Sequence, residues 1–501
     1  MGEKNIYQSI GVEPIINCRG TFTIIGGSRE LPQVLEAMEA ASGYFVQYDE
    51  LAEGVGKKLA ELTGAEWGLI SAGCAAGIKH VTAACVTGGD PEKLIRIPDL
   101  SGLQKTQVII PRYSRNAYDH AVRNIGVEIV MVETREELAQ AINKKTAMIY
   151  LCSGHSADKG QPLSLEVIAE VAKPHAVPVL VDAAAENLTI PNVHLEQGAT
   201  VVAYSGGKAL CGPQCAGIVL GDKDLLMSAW QASAPHHGPG RDNKIGKEEI
   251  MGMLAAVEAW TTRDHEQEWQ KWLGKLDAIA ARVQQLDGVT TEVHEPTSLN
   301  NRAPTLSVYW DPAARHINGE DVAEDFARKS PRIAIGSRDA DGRASVQITP
   351  SQMQPGNAEV VAERIYEILA AERSPAKATP DAAAVDLSGE WDLSVHYFTS
   401  TSQHRLSLKQ EGSWVRGTHT SEFSTQEIVG VVEGDTLKLS SAMRRPGNGI
   451  SFMFSGVANA DGMSGSIHLG EYLQVKFSAT RAEKEPGPVH IMIPSGPPLA
   501  T

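Results

Sequence analysis

The stretch Tyr204-Ser205-Gly206-Gly207-Lys208-Ala209-Leu210-Cys211-Gly212-Pro213-Gln214-Cys215-Ala216-Gly217 decides how this chain is read. An apolar β-like run, Thr200 to Ala203, enters it and a second, Ile218-Val219-Leu220, leaves it. Lys208 is therefore held at a tight, Gly-permitted corner between two strands. A lysine pinned at a strand end among small residues, with the Ser205 hydroxyl nearby, suits a Schiff base to an aldehyde cofactor, because burial lowers its pKa and frees the amine. The same residues also fit a surface hairpin lysine, since Gly-rich turns that carry lysine are common.

Upstream of this corner the chain alternates between short apolar runs and helical patterns. Strands are expected at Val108–Pro111, Glu128–Val132, Ala147–Cys152 and Pro178–Val181, and helices at Asn116–Asn124, Thr134–Asn143 and Leu163–Ala172. That alternation is the signature of a mainly parallel sheet covered on both faces, and ligands of such sheets gather at the carboxyl ends of the strands. Asp182, His155 and Lys208 all fall at or just beyond such ends. Earlier still, Leu69 to Ile78 reads as a strand, a small-residue turn (Gly73, Cys74, Ala75) and the start of a helix. Small side chains there let an anion approach the free N–H groups of the helix start; tight strand-to-helix turns favour small residues in any case. His155, in Ser153-Gly154-His155, is a candidate acid/base or substrate contact and equally a loop histidine bonded to its neighbours.

The pattern SGGKxxxGPQxxG resembles the stretch around the cofactor lysine of selenocysteine synthase (seryl-tRNA selenium transferase) and its SelA-like relatives. These are fold-type I enzymes dependent on pyridoxal 5'-phosphate (PLP), a group that includes D-glucosaminate-6-phosphate ammonia lyase. The resemblance recurs in Ile16-Asn17-Cys18-Arg19-Gly20, similar to the IN-x-x-G segment that opens the family's catalytic domain, and in Ile335 to Arg343, similar to its I-G-R-x-x-D-G-R segment. It covers roughly residues 10 to 372, about three quarters of the chain.

What the resemblance implies is specific to residues. Lys208 carries the cofactor aldehyde and serves as general base. Asp182, 26 residues before it, faces the pyridine nitrogen, where a retained proton lets the ring withdraw electrons from the substrate's α-carbon. The Gly73-Cys74-Ala75 turn and Ser205 hold the cofactor phosphate. Arg19 and Arg338 meet substrate anions. The relatives carry Arg-x-Asp-Lys before the helix Glu248–Thr262; here Lys244 takes the arginine place as a cofactor-phosphate candidate, Gly246 replaces the aspartate and Lys247 matches the lysine. The family's N-terminal tRNA-binding domain has no room here.

At 501 residues two or three domains are expected: an arm (1–30), a large PLP-binding domain (31–262), a small α+β domain (263–373), a Pro/Ala linker (374–386), an antiparallel β domain (387–483) and a tail (484–501). About eight short strands without helices imply a closed up-and-down barrel or a sandwich, and Gly389-Glu390-Trp391 resembles the G-x-W of lipocalin-like barrels. Its interior is expected to be filled, or to serve assembly, rather than to hold a ligand. A net charge of −16 disfavours a nucleic-acid partner. No apolar run spans a membrane, no signal peptide is evident at Met1-Gly2-Glu3, and all six cysteines lie within the first 215 residues without a zinc-like spacing. A cytoplasmic, metal-free homodimer or higher homo-oligomer acting on a small amino-acid-like substrate is expected. The favoured chemistry is α,β-elimination of the ammonia-lyase type; racemisation, β-replacement and a non-catalytic ligand-binding role on the same fold are the alternatives.

Overall fold

In the computed structural model, residues 5–375, 381–442 and 449–482 are described. The chain divides into two compact units, residues 1–375 and 376–501.

In the first unit, β1 (Ile15–Asn17) precedes β2 (Trp67–Ser71), β3 (Gln107–Pro111), β4 (Glu128–Val132), β5 (Thr146–Cys152), β6 (Val179–Asp182), β7 (Val201–Ser205) and β8 (Gly217–Gly221). Seven of these form one sheet in the order β2-β8-β7-β6-β5-β3-β4. Neighbours from β4 to β7 run parallel, whereas β8 is antiparallel to both β7 and β2. The central strands read as unbroken apolar runs because both faces are covered. Successive residues of β5 show it: Ile149 belongs to the core that holds Met253 and Val257, Tyr150 to the separate core that holds Ile78 and Val81. The helix Cys74–Thr87 lies so close to the sheet that a Cβ on Gly77 would come within 2.6 Å of Val219 Cγ2. Small residues throughout that helix serve this approach.

The remainder of the unit is a second layer. β9 (Thr290–His294), β10 (Thr305–Trp310), β12 (Gly336–Ser337) and β13 (Ala344–Ile348) form a four-stranded antiparallel sheet, β12-β13-β10-β9, and β11 (Arg332–Ala334) lies outside it. Helices His265–Val283 and Asn357–Ala370 enclose its core with Leu276, Trp310, Phe326 and Ile365. β1 pairs in parallel with β11, which anchors the N-terminal segment here. One expected helix differs: Asn116–Asn124 is a 3-10 turn, Ala117–Asp119, followed by a short helix, His120–Arg123. The Asn116 side chain accepts from the Tyr118 N–H, a local bond that takes the place of a first helical turn, and buried Asp119 pairs with both Arg115 and Arg123.

The second unit is a closed eight-stranded up-and-down barrel rather than a sandwich. β14 (Gly389–His396), β15 (Thr401–Glu411), β16 (Trp414–Thr420), β17 (Thr425–Glu433), β18 (Thr436–Ala442), β19 (Ser451–Ala458), β20 (Gly462–His468) and β21 (Val475–Arg481) pair in sequence, and β14 pairs with β21 to close the ring. Alternation in β19 turns Phe452 and Phe454 inward and leaves Met453 exposed. Leu393, Leu406, Ile428, Leu437 and Phe477 fill the interior, and Trp391 donates from Nε1 to Leu387 O at 2.8 Å.

One polar chain crosses this apolar interior. His404 Nδ1 meets His419 Nε2 at 2.8 Å, His419 Nδ1 meets Ser441 Oγ at 3.1 Å, and Ser441 donates to Gln426 Oε1 at 3.1 Å. A carbonyl oxygen only accepts, so Ser441 must receive from His419 Nδ1–H, and His419 Nε2 must receive from His404 Nδ1–H. Ser402, 2.8 Å from His404 Nε2, donates the last proton. Every member is satisfied with both histidines neutral. Burial, aided by its neighbour His404, pushes the His419 pKa down to about 4, and burial also lowers His404. Because the folded pKa values lie below the ordinary 6.5, this contribution to stability is present above that value and is lost as pH falls from it towards about 4. Hydrogen exchange of the β15, β16 and β18 amides, corrected for intrinsic rate, is expected to quicken between about pH 7 and about pH 5. In His419→Gln the pH dependence should shrink.

Candidate functional site

The register brings several strand ends side by side. Cys152 lies opposite Asp182, Asp182 opposite Ala203, Ser205 opposite Gly217, and Gly217 opposite Ser71. Parallel direction puts the carboxyl ends of β2, β7, β6, β5 and β3 on one edge, where open α/β sheets bind ligands.

Asp182 is a buried charge on that edge, 5% exposed. Its carboxylate accepts from Tyr150 OH at 2.7 Å, from the Ala184 N–H at 3.1 Å and from Cys74 Sγ at 3.5 Å. Burial, reinforced by the Asp182 charge, raises the Tyr150 phenol and the Cys74 thiol well above their ordinary values and takes Cys152 to about 12. These groups therefore stay protonated and act as donors. The positive charge of Lys208 acts on both thiols in the opposite sense. Lys208 Nζ also stands 5.9 Å from the centre of the Tyr118 ring.

The loop that presents Lys208 is shaped by close packing. A Cβ on Gly206 would fall 2.5 Å from Met253 Sδ, and one on Gly207 would fall 2.8 Å from Gln214 Cα. Cys211 adopts a left-handed φ of 54°. Arg263, at the end of helix Lys247–Thr262, donates to Ala209 O and Leu210 O at 3.4 Å each and fastens the segment after Lys208.

Opposite this loop the helix Cys74–Thr87 begins after Gly73, whose φ of 89° favours glycine, and no side chain caps it. Its first-turn N–H groups are thus left to an external acceptor, and Ala75 is exposed there.

The other candidates are placed as follows. Ser205 ends β7, half-buried, beside Gly217. Arg19 lines a cleft of about 240 Å³ that also touches Ala209 and Cys211. Arg338 lines a neighbouring cleft of about 480 Å³ with Tyr309 and Arg343, and Thr305 borders both. His155 has a side chain 70% exposed, with Nδ1 3.0 Å from Asp158 and Nε2 3.2 Å from Thr297. Lys244 is exposed on the loop before helix Lys247–Thr262, while Lys247 donates to Ala41 O. Tyr150, Tyr118, Arg263 and Arg302 escaped the sequence reading. Only Tyr150 carried a signal, a lone hydroxyl inside the apolar run of β5.

Comparison with known proteins follows the same outline. The family described as Cys/Met metabolism PLP-dependent enzyme matches residues 48–263. D-glucosaminate-6-phosphate ammonia lyase of Salmonella typhimurium is 30% identical over 374 residues, spanning 73% of this chain and 98% of that protein. A 5'-C-glycyluridine monooxygenase-decarboxylase of Streptomyces sp is 29% identical, spanning 72% of this chain and 92% of its own length. The solved structure of D-glucosaminate-6-phosphate ammonia-lyase superposes with a TM-score of 0.66 at 29% identity, over 74% of this chain and 99% of that one.

Tyr150→Phe removes the shortest bond to a buried carboxylate without changing shape. It is expected to lower unfolding stability by about 1–3 kcal/mol, read from urea denaturation.

Proposed function

Because the chain belongs to the family of PLP-dependent enzymes that includes D-glucosaminate-6-phosphate ammonia lyase, we propose that it catalyses α,β-elimination of the ammonia-lyase type on a small amino acid or amino sugar acid. One observation carries the reading: a buried carboxylate, an uncapped helix start and the loop that bears the lysine stand at the carboxyl ends of β6, β2 and β7 on one sheet edge. This donor set fits PLP. Asp182 would hold a proton at the ring nitrogen, the N–H groups of Cys74 and Ala75 with Ser205 would hold the phosphate, and Lys208 would hold the aldehyde carbon. When bound, PLP supplies an electron-withdrawing ring that stabilises negative charge at the α-carbon of an attached amine.

The chain's own residues do the rest. Tyr150, Cys74 and the Ala184 N–H orient the Asp182 carboxylate and keep water from it. Lys208 Nζ, which has no hydrogen-bond partner among the described residues, takes the proton from the substrate α-carbon and returns one to the departing β-substituent. Arg263 keeps the loop bearing this amine in place. Arg19, which lines the cleft beside the loop, would meet a substrate anion. The 29% identity to a monooxygenase-decarboxylase supports the view that this scaffold accommodates more than one outcome at the α-carbon.

Assembly as a homodimer or higher homo-oligomer belongs to the same reading. Tyr44, Phe45 and Val46, between helices Pro32–Ser42 and Tyr48–Thr63, are 72%, 100% and 47% exposed. Three consecutive exposed apolar residues suit a surface shared with a second copy.

The purified protein is expected to absorb visible light, and borohydride reduction with peptide mapping should place the pyridoxyl group on Lys208; its appearance on another lysine would sink the assignment. Light scattering should give a mass above that of the monomer, reduced in Phe45→Asp.

A further inference from the structure

A separate cavity of about 470 Å³ opens where helix Lys247–Thr262 ends and helix His265–Val283 begins, and Trp260, Trp269 and Trp272 all line it. Its charge differs from that of the cleft beside the Lys208 loop. Three arginines and one carboxylate line that cleft; three carboxylates, Glu266, Glu268 and Glu295, and one arginine, Arg302, line this cavity. One of its indoles is already matched with a cation. Arg263 lies over the Trp260 ring at 5.1 Å and 3.7 Å from Glu268, so that indole face, guanidinium and carboxylate form a complete set. Trp260 itself is 7% exposed and donates from Nε1 to Leu188 O at 2.9 Å.

The other two indoles repeat this arrangement without the cation. Trp269 and Trp272, three residues apart on one helix, share a face. Their ring centres are 6.0 Å apart and their planes inclined by 57°, which makes a notch rather than a stack. Both rings are half-buried. Among the described residues no lysine or arginine lies over either ring, and neither indole N–H has an acceptor. Lys271, the residue before Trp272, donates to Gln267 at 2.8 Å instead. Glu266, one helical turn before Trp269, accepts only from Gln270 at 2.9 Å, and exposed Glu295 has no hydrogen-bond or ion-pair partner among the described residues. A hydrated metal ion gains little from indole faces, and a neutral apolar molecule gains nothing from carboxylates. An ion that carries its charge on alkyl groups uses both.

We propose that the notch between Trp269 and Trp272 is a binding site for an alkylated ammonium ion, held by the two indole faces and by the carboxylates of Glu266 and Glu295. The ion is a second ligand, bound outside the cleft at Lys208, and the inference does not depend on the reaction assigned there. Its alkyl groups cover indole surface, its charge meets the ring quadrupoles, and partial removal from water strengthens the attraction. Trp272 and Arg302 line both cavities, so an occupant of the notch touches a wall of the substrate cleft.

The test uses the full-length, PLP-loaded protein at constant ionic strength, with choline as the probe. Broadening of the choline methyl proton resonance on addition of protein reads binding, and titration gives a Kd. Wild type should bind choline and not its neutral isostere, in which carbon replaces the nitrogen. Trp269→Leu and Trp272→Leu keep apolar bulk but remove the ring, and each should weaken choline binding about threefold to tenfold; Trp269→Phe should recover part. Glu295→Gln should weaken it about threefold, and because Glu295 is exposed this variant keeps the test decisive if an indole variant fails to fold. Trp414→Leu, at an exposed tryptophan of the barrel, is the control and should match wild type. A urea midpoint equal to that of wild type certifies that a variant is folded. No broadening with wild type, equal broadening of choline and its isostere, broadening of glucose in preference to choline, or a choline Kd unchanged in the folded variants at Trp269, Trp272 and Glu295 overturns the site.

Discussion

The buried carboxylate of Asp182 constrains everything around it. An ionised group 5% exposed cannot stand in an apolar sheet without donors, and it obtains them from three separate elements: Tyr150 on β5, Ala184 just beyond β6 and Cys74 at the head of the helix after β2. Because these partners sit on different strands, the sheet register and the placement of that helix are fixed by the same bonds that satisfy the charge. The small residues of helix Cys74–Thr87 and the glycines of the Lys208 loop follow from this closeness, since a Cβ at Gly77, Gly206 or Gly207 would strike the neighbouring element.

Charge is distributed against the average of the chain. The net charge of −16 belongs to the whole, whereas the cleft beside Lys208 holds uncompensated arginines. Asp182 ends β6, and the loop that bears Lys208 follows β7, its neighbour in the sheet. The turn Leu299–Arg302, hydrogen-bonded to the segment after Asp182, links the second layer to this edge.

The barrel presents a different physical solution. Its interior is closed by aliphatic and aromatic side chains, and the polar chain from Ser402 to Gln426 is self-sufficient, each donor matched to an acceptor. The two rims are unlike. Turns that join β14 to β15, β16 to β17 and β20 to β21 expose Phe398, Phe423, Tyr472 and Leu473, while those at the other end carry Gly412, Gly434, Asp435 and Asp461.

Local chemistry was legible from the chain alone wherever it is carried by contiguous residues. The glycines and lysine of Ser205–Lys208, the small-residue turn at Gly73, the apolar runs of the central sheet and the alternation of the barrel strands all follow from backbone freedom and from side-chain periods of two or of three to four residues. The sequence by itself therefore determined the layered α/β unit, the all-β unit and the family. Tertiary structure alone decided what depends on residues distant in sequence. Tyr150 reaches Asp182 because β5 and β6 are neighbours, and the barrel closes because β21 returns to β14. Arg302 joins Arg19 at one cleft for the same reason: 283 residues separate them along the chain, and only the packing of the second layer against the sheet edge brings both to the cleft that borders the Lys208 loop.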